Sequence, residues 1–347
     1  LQDQPTRRSR LWLYAPFALL ALIVAAWSVG WFVIRGRVAG ELDSWLAAEA
    51  AAGRNWTCPD RAVAGYPFRI EISCASLSFA RADTQASVGR LLVVAQVYDP
   101  SRAIAEVSGP LRVTAGTTAI EAQWRLLRAS VHLAGGRPQR GDLVAEKPAI
   151  TVAPAGLAPL ALTGERLETH LRPSPTEPNT ADWALTATGS VIPGLDGLIG
   201  GTEPADIDLV LAVTHVGELP PRPLLAELES WRAADGRINV SKLAVAKGPR
   251  RVQASGFIAI DELHRPQGQS IAAVANVEGL LGRFVGGKGG GAAGLLGMLL
   301  GGRPQPAPEA PAGADPSLTP VPPVKVANGR VFVGPLQIPG LRIDPLY

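Results

Sequence analysis

The chain has 347 residues, with 33 Lys and Arg against 30 Asp and Glu, for a net charge of +3 at pH 7. So small an excess, with no basic block interleaved with aromatics, excludes the concentrated cationic stripe of a nucleic-acid binder. Two cysteines exclude a disulfide-built scaffold, while 47% apolar residues suffice for an ordinary globular body.

Residues 1–10 carry Arg7, Arg8 and Arg10 and read as a cytoplasmic tail. Leu11 to Ile34 then runs without a charge, reaching about 36 Å as a helix, enough to cross a roughly 30 Å hydrocarbon core. A cleavable secretory signal is the competing reading, with Val38-Ala39-Gly40 as its processing site. The run is longer than the usual apolar stretch of about 7 to 15 residues, and Arg35 and Arg37 interrupt the approach to that site. A retained transmembrane helix over 11–34 is therefore expected. Trp12, Tyr14 and Phe17 suit one water–lipid interface, and Trp27, Trp31 and Phe32 the other. Three arginines before the span and two after it favour a cytoplasmic N-terminus.

The juxtamembrane segment 35–55 predicts a short helix over Val38 to Ala52, with Leu42, Trp45 and Leu46 on one face and Gly53 as its stop. A helix of three to four turns needs packing to persist, so Trp45 is expected to be covered by the next domain. Cys58 and Cys74 follow at once. A pair so close to the anchor, in a chain with no others, fits a disulfide formed in an oxidising compartment; two reduced core thiols are the alternative. The nearest histidine in sequence is His132, so no metal site is expected here, nor any cofactor. Together these features place the body at a bacterial inner membrane, N-terminus cytoplasmic and main domain periplasmic.

From Tyr66 the period becomes two. Phe68, Ile70, Ile72 and Cys74 alternate with Arg69, Glu71 and Ser73, and the pattern recurs at Ile120 to Leu126, Ile207 to Val213, Ile238 to Val240, Val252 to Ile260 and Ile271 to Val277. Turn residues separate most of these runs. The expected fold is mainly β (α+β): an N-terminal transmembrane helix, then a long antiparallel, curved β-sheet meander with a few short helices. One helix is predicted over Pro221 to Ala233, with Leu224, Leu225, Leu228 and Trp231 on one face. The β-rich domain covers 56–278. Residues 279–323 are Gly-rich and then Pro/Ala-rich, a flexible segment whose part from Arg303 to Pro323 is too poor in large apolar residues to pack. C-terminal strands over 324–347 are expected to dock back on the β domain.

Candidate chemistry is thin. Gly289 to Gly294 matches G-x-G-x-x-G but follows no predicted strand. His132, His170, His215 and His264 stand alone, with no zinc-protease or nucleophile-elbow motif. No enzyme is expected; a hydrolase assembled from distant positions is the remaining catalytic reading.

Gly65-Tyr66-Pro67-Phe68-Arg69, flanked by Cys58 and Cys74, resembles the G-Y-P-F-R hallmark of Domain of Unknown Function 2125. The anchor, the tryptophan-bearing segment before the first cysteine and the closing Asn328-Gly329-Arg330-Val331-Phe332-Val333-Gly334-Pro335 agree in layout. The resemblance covers about Trp45 to Tyr347 and implies a membrane-anchored periplasmic protein without an assigned activity. The motif itself reads as a structural turn, with Gly65 at positive φ, Pro67 setting an extended entry and Tyr66 and Phe68 buried. In the alternative, Tyr66 and Arg69 hold a lipid phosphate. Gly236 to Gly279 is similar to repeats of AsmA-like envelope proteins, which implies apolar sheet faces that shelter lipid. Two roles follow as expectations: a non-enzymatic envelope scaffold or assembly factor with envelope-protein partners, or binding of phospholipid or another hydrophobic ligand, in both cases beside the inner-membrane bilayer.

Overall fold

The computed structural model describes residues 11–82, 84–135, 137–216, 224–277 and 309–347. A single helix, α1 (Leu11–Ala51), runs through the charge-free stretch and on through the segment expected to be a separate short helix. Gly36 and Gly40 do not break it. Each costs a helix about 1 kcal/mol, and the tryptophan contacts at both flanks of that region hold it.

The body is β-rich and antiparallel, but it is two sheets rather than one plain meander. β1 (Asn55–Thr57) opens the smaller, seven-stranded sheet. β2 (Ala62–Ala64) and β3 (Arg69–Cys74) lie in a fifteen-stranded sheet, β4 (Leu77–Arg81) and β5 (Thr84–Val88) in the small one, and β6 (Leu91–Gln96) and β7 (Asp99–Val107) in the large. The alternation continues with β8 (Leu111–Ala115) and β9 (Thr118–Gln123), β10 (Leu126–Ala134) and β11 (Arg137–Glu146), then β12 (Ala149–Pro154) and β13 (Leu160–Thr163).

After the first passage, Cys58 to Arg61 between β1 and β2, each passage between the sheets takes two or three residues: Ala75-Ser76, Gly89-Arg90, Ser108 to Pro110, Trp124-Arg125, Lys147-Pro148 and Gly164-Glu165. Hydrogen bonds continue through these corners, from Ser108 N to the Arg90 carbonyl (2.8 Å), Arg125 N to Glu146 (2.9 Å) and Lys147 N to Glu165 (2.8 Å). The first half of the body is therefore one meander of long strands, all creased along one line. Glycine has a reason at the crease: a Cβ on Gly89 would lie 2.8 Å from the Ser108 carbonyl oxygen. The run from Ile120 to Leu126, predicted as one strand, is cut here, because its two ends belong to different sheets. The Trp124 indole donates to the Val107 carbonyl at 2.7 Å and braces that corner.

From β14 (Arg166–Pro173) onward the described strands all belong to the large sheet. β15 (Ala181–Ser190), β16 (Ala205–Val213), β17 (Arg237–Lys247), β18 (Arg250–Ile260) and β19 (Pro266–Ala275) follow as successive neighbours, then β20 (Thr319–Ala327), β21 (Arg330–Val333) and β22 (Leu336–Arg342). The C-terminal strands thus dock where expected, β20 on β19. Their start differs: β20 begins at Thr319, inside the stretch that composition assigns to a linker. Pairing with β19 and burial of Leu318 (8% exposed) supply there what the residue types lack. Residues 278–308, including the G-x-G-x-x-G match, lie outside the described ones.

Among the described residues, two short helices join strands. α2 (Pro193–Ile199), which periodicity does not announce, is tied by Asp196 to Lys247, whose side chain is 1% exposed, at 2.7 Å. α3 (Leu224–Ala233) is the described part of the helix predicted over Pro221 to Ala233. Cys58 and Cys74 stand at disulfide distance, with Cα atoms 5.3 Å apart. The bond joins the end of β1 in the small sheet to the end of β3 in the large one, and so staples the crease where the chain enters it.

Candidate functional site

Strand register turns the alternation into two very different faces. On one face of the large sheet, Cys74, Leu91, Val107, Leu127, Ala145, Leu167, Ala187, Ile207, Val245, Val252 and Val274 are successive cross-strand partners. The next row, from Ile72 through Leu143, Leu185, Leu209 and Leu243 to Ala272, holds a single polar residue, Thr169. Eleven strands at about 4.8 Å spacing make this apolar band roughly 48 Å wide. The small sheet has its own row: Trp56, Phe79, Ala86, Val113, Ile120, Val152 and Leu160.

The band is only partly covered. Small residues such as Ala145 and Ala187 are buried, but Leu91, Leu127, Leu143, Leu167, Leu185, Leu209 and Leu243 are all half-buried, and Leu171 is 51% exposed. A sheet face under a second layer would bury these leucines. The opposite face is charged and paired across strands: Arg128 with Glu106 (3.1 Å), Arg166 with Glu146 (3.4 Å) and Arg172 with Asp182 (3.3 Å) are direct register partners. Such pairs fix which face is wet more than they add stability.

The second feature is a clamp between α1 and the G-Y-P-F-R segment. Residues Tyr66 to Phe68 form a turn before β3, not the extended entry expected of Pro67, and Tyr66 and Phe68, expected to be buried, are 49% and 61% exposed. Gly65 has φ +103°, and a Cβ there would lie 2.6 Å from the Arg69 carbonyl oxygen, so glycine is required. The turn presents its backbone to the helix. Trp27 Nε1 donates to the Pro67 carbonyl (2.8 Å), Trp31 Nε1 to the Arg69 carbonyl (3.0 Å) and Arg35 Nε to the Val63 carbonyl (2.8 Å). Ser28 and Tyr66 share a hydroxyl–hydroxyl bond of 2.8 Å. Tyr66 packs edge-on to Trp31 at 5.4 Å and stacks on Phe32 at 6.1 Å, and Phe68 lies 6.1 Å from Trp27.

The rings that the sequence assigns to a water–lipid interface therefore hold the body, and Trp31 is 4% exposed. Farther along α1, Trp45 meets Trp56 of the small sheet at 5.9 Å, as the packing expectation required. Of the two groups read as phosphate ligands, the Tyr66 hydroxyl is turned to Ser28 and the Arg69 guanidinium lies 2.6 Å from Glu71. The sequence signal for the clamp was the spacing of Ile23, Trp27 and Trp31 on one helical face.

Two further side-chain clusters combine a histidine with a carboxylate. On the charged face, Asp142 binds His170 Nδ1 at 2.6 Å and accepts from Ser130 at 3.2 Å and from Arg140 at 2.9 Å. Burial opposes ionisation of Asp142, yet these bonds hold its carboxyl below the ordinary range. The serine and the histidine both bind the aspartate rather than each other, so this grouping lacks the base-to-hydroxyl contact of a nucleophile triad. At the far end of the sheet, Glu229 of α3 accepts from Tyr347 at 2.9 Å and lies 3.1 Å from His264 and 2.5 Å from Arg232. Among the described residues no three His, Cys, Asp or Glu side chains converge to hold a metal ion.

What these features define is a class: a β-rich body with an open apolar sheet face, clasped to one helix long and apolar enough to cross a membrane. The family model described as "Uncharacterized protein conserved in bacteria (DUF2125)" matches residues 31–341. The chain belongs to that family. No curated protein and no solved structure matches it.

Proposed function

We propose that the chain is a non-enzymatic, single-pass protein of the bacterial inner membrane whose periplasmic body binds the acyl chains of a lipid on the apolar band of the large sheet. One observation carries this reading: two adjacent rows of apolar side chains cross eleven strands while their leucines stay only partly buried. Apolar area of that extent on a soluble surface is costly, at about 25 cal/mol per Å², and patches beyond a few hundred Å² mark binding sites. A bilayer beside the body is the natural source of a long apolar occupant. The Cys58–Cys74 pair and the arginines flanking the helix support the periplasmic side.

The test is photo-crosslinking in native membranes, with a photoreactive residue replacing Leu127 or Leu209 on the apolar face and Glu106 or Asp208 on the charged face. Lipid adducts confined to the first pair are expected. Protein adducts at Leu127 and Leu209 without lipid would replace the lipid reading by the scaffold, with an envelope-protein segment as the occupant of the band.

A further inference from the structure

We propose that the rim formed by Tyr66–Phe68 and Val97–Tyr98 is a second membrane contact, inserted into the lipid interface beside α1. The inference rests on α1 crossing the bilayer, and it follows from where along the helix the body is held. Trp27 is bonded to Pro67 at 2.8 Å, and the Val97 amide donates to the Phe68 carbonyl at 3.0 Å, so both turns lie level with Trp27. The apolar run continues beyond that level, through Trp31 and Phe32 to Ile34. Eight residues separate Trp27 from Arg35, a rise of about 12 Å. If the rim stayed in water, the hydrocarbon would be spanned by Leu11 to Ala26 alone, about 24 Å against the roughly 30 Å required.

The side chains on the rim match a lipid surface. Phe68 is 61% and Tyr98 66% exposed, large aromatic areas pointing away from the body at the same end of the sheet. Between rim and helix lies a cleft of about 400 Å³ lined by Ile23, Trp27, Gly30, Trp31, Ile34 and Val97, all apolar or glycine, with nothing within 4 Å of the place a Gly30 Cβ would occupy. A wedge of that composition suits an acyl chain lying along the helix. Tyrosine settles at the headgroup boundary, and phenylalanine is among the apolar side chains that interfacial elements bury just beneath it. Arg35, held on the Val63 carbonyl at 2.8 Å, lies above them at the phosphate level. The G-Y-P-F-R turn thus has two sides, one gripping the helix and one facing lipid.

The experiment places a spin label on the full chain in phospholipid nanodiscs, through single added cysteines under non-reducing conditions: Phe68→Cys, Tyr98→Cys, Ala21→Cys in the helix and Ala161→Cys on the small sheet. Accessibility to oxygen, which partitions into lipid, is compared with that to a water-soluble nickel chelate. Labels at 68 and 98 are expected to favour oxygen as the label at 21 does, several-fold over the label at 161. Labels at 68 and 98 that respond like 161, while 21 stays in lipid, would overturn the inserted rim and leave the span intact. A label at 21 that also meets the nickel chelate would overturn both. Should Phe68→Cys fail to fold through loss of its contact with Trp27, Tyr98→Cys decides the matter by itself.

Discussion

The clamp and the open band are both apolar, yet they differ in closure. At the clamp, indoles, hydroxyls and backbone carbonyls of α1 and the G-Y-P-F-R turn satisfy one another, and Trp31 is buried. On the band, wider and more apolar still, the leucines remain only partly buried. The difference separates an interface the chain completes with its own residues from a face that its described residues leave partly uncovered. Small alanines at Ala129, Ala145, Ala187 and Ala254 flatten that band.

The contrast can be broken most directly at Trp31. Trp31→Ala should lower the stability of the full chain by about 3 to 5 kcal/mol, the range for emptying a buried tryptophan site, measured by chemical denaturation in detergent. A loss under about 1 kcal/mol would mean that the clamp is not a closed interface. Replacing Cys58 and Cys74 together by serine should cost about 3 kcal/mol, from the freed loop of about 15 residues. Because the bond staples the two sheets beside the clamp, proteolysis should then begin at the crease near β1; cleavage first at the C-terminal strands would argue otherwise.

Leu209→Ser on the band should behave oppositely to Trp31→Ala. Its stability change should stay within about 1 kcal/mol, since the side chain is already partly exposed, while the lipid crosslink at Leu127 should fall several-fold. A large destabilisation there would show the band to be core. The smallest effect concerns pH. The Glu229 carboxyl is held down at about 2, chiefly by Arg232 and then by Tyr347, with burial opposing. A carboxyl whose pKa is lowered on folding contributes fully above its ordinary range, and that contribution fades as pH falls toward 2. Between pH 5 and 2 the melting temperature of Glu229→Gln should therefore fall less steeply than that of the parent chain, with equal slopes counting against the contact.

Much of this was legible in the residues. Alternation at Ile70 to Cys74 and Ile207 to Val213 fixed which side chains share a face, because a strand's period of two leaves no other choice. The cysteine pair and the packing of Trp45 followed from neighbourhood in the chain. The crease did not, since corners such as Trp124-Arg125 and Lys147-Pro148 resemble ordinary strand or turn sequence, and only the change of sheet gives them meaning. Nor did the clamp: tryptophans at the end of an apolar helix already have a reason to be there in the lipid interface. The tail from Asp315 misled in the opposite direction, its composition hiding a strand that borrows its stability from β19.

The folded meander also bears on how the protein is made. Hairpins such as β4 on β5 and β18 on β19 pair neighbours in the chain, whereas β5 with β8, β9 with β12 and β19 with β20 close much longer loops. Non-local pairings form more slowly than local ones, so the hairpins are expected to close first and to join afterwards, each adding its outer strand to a ladder already in place.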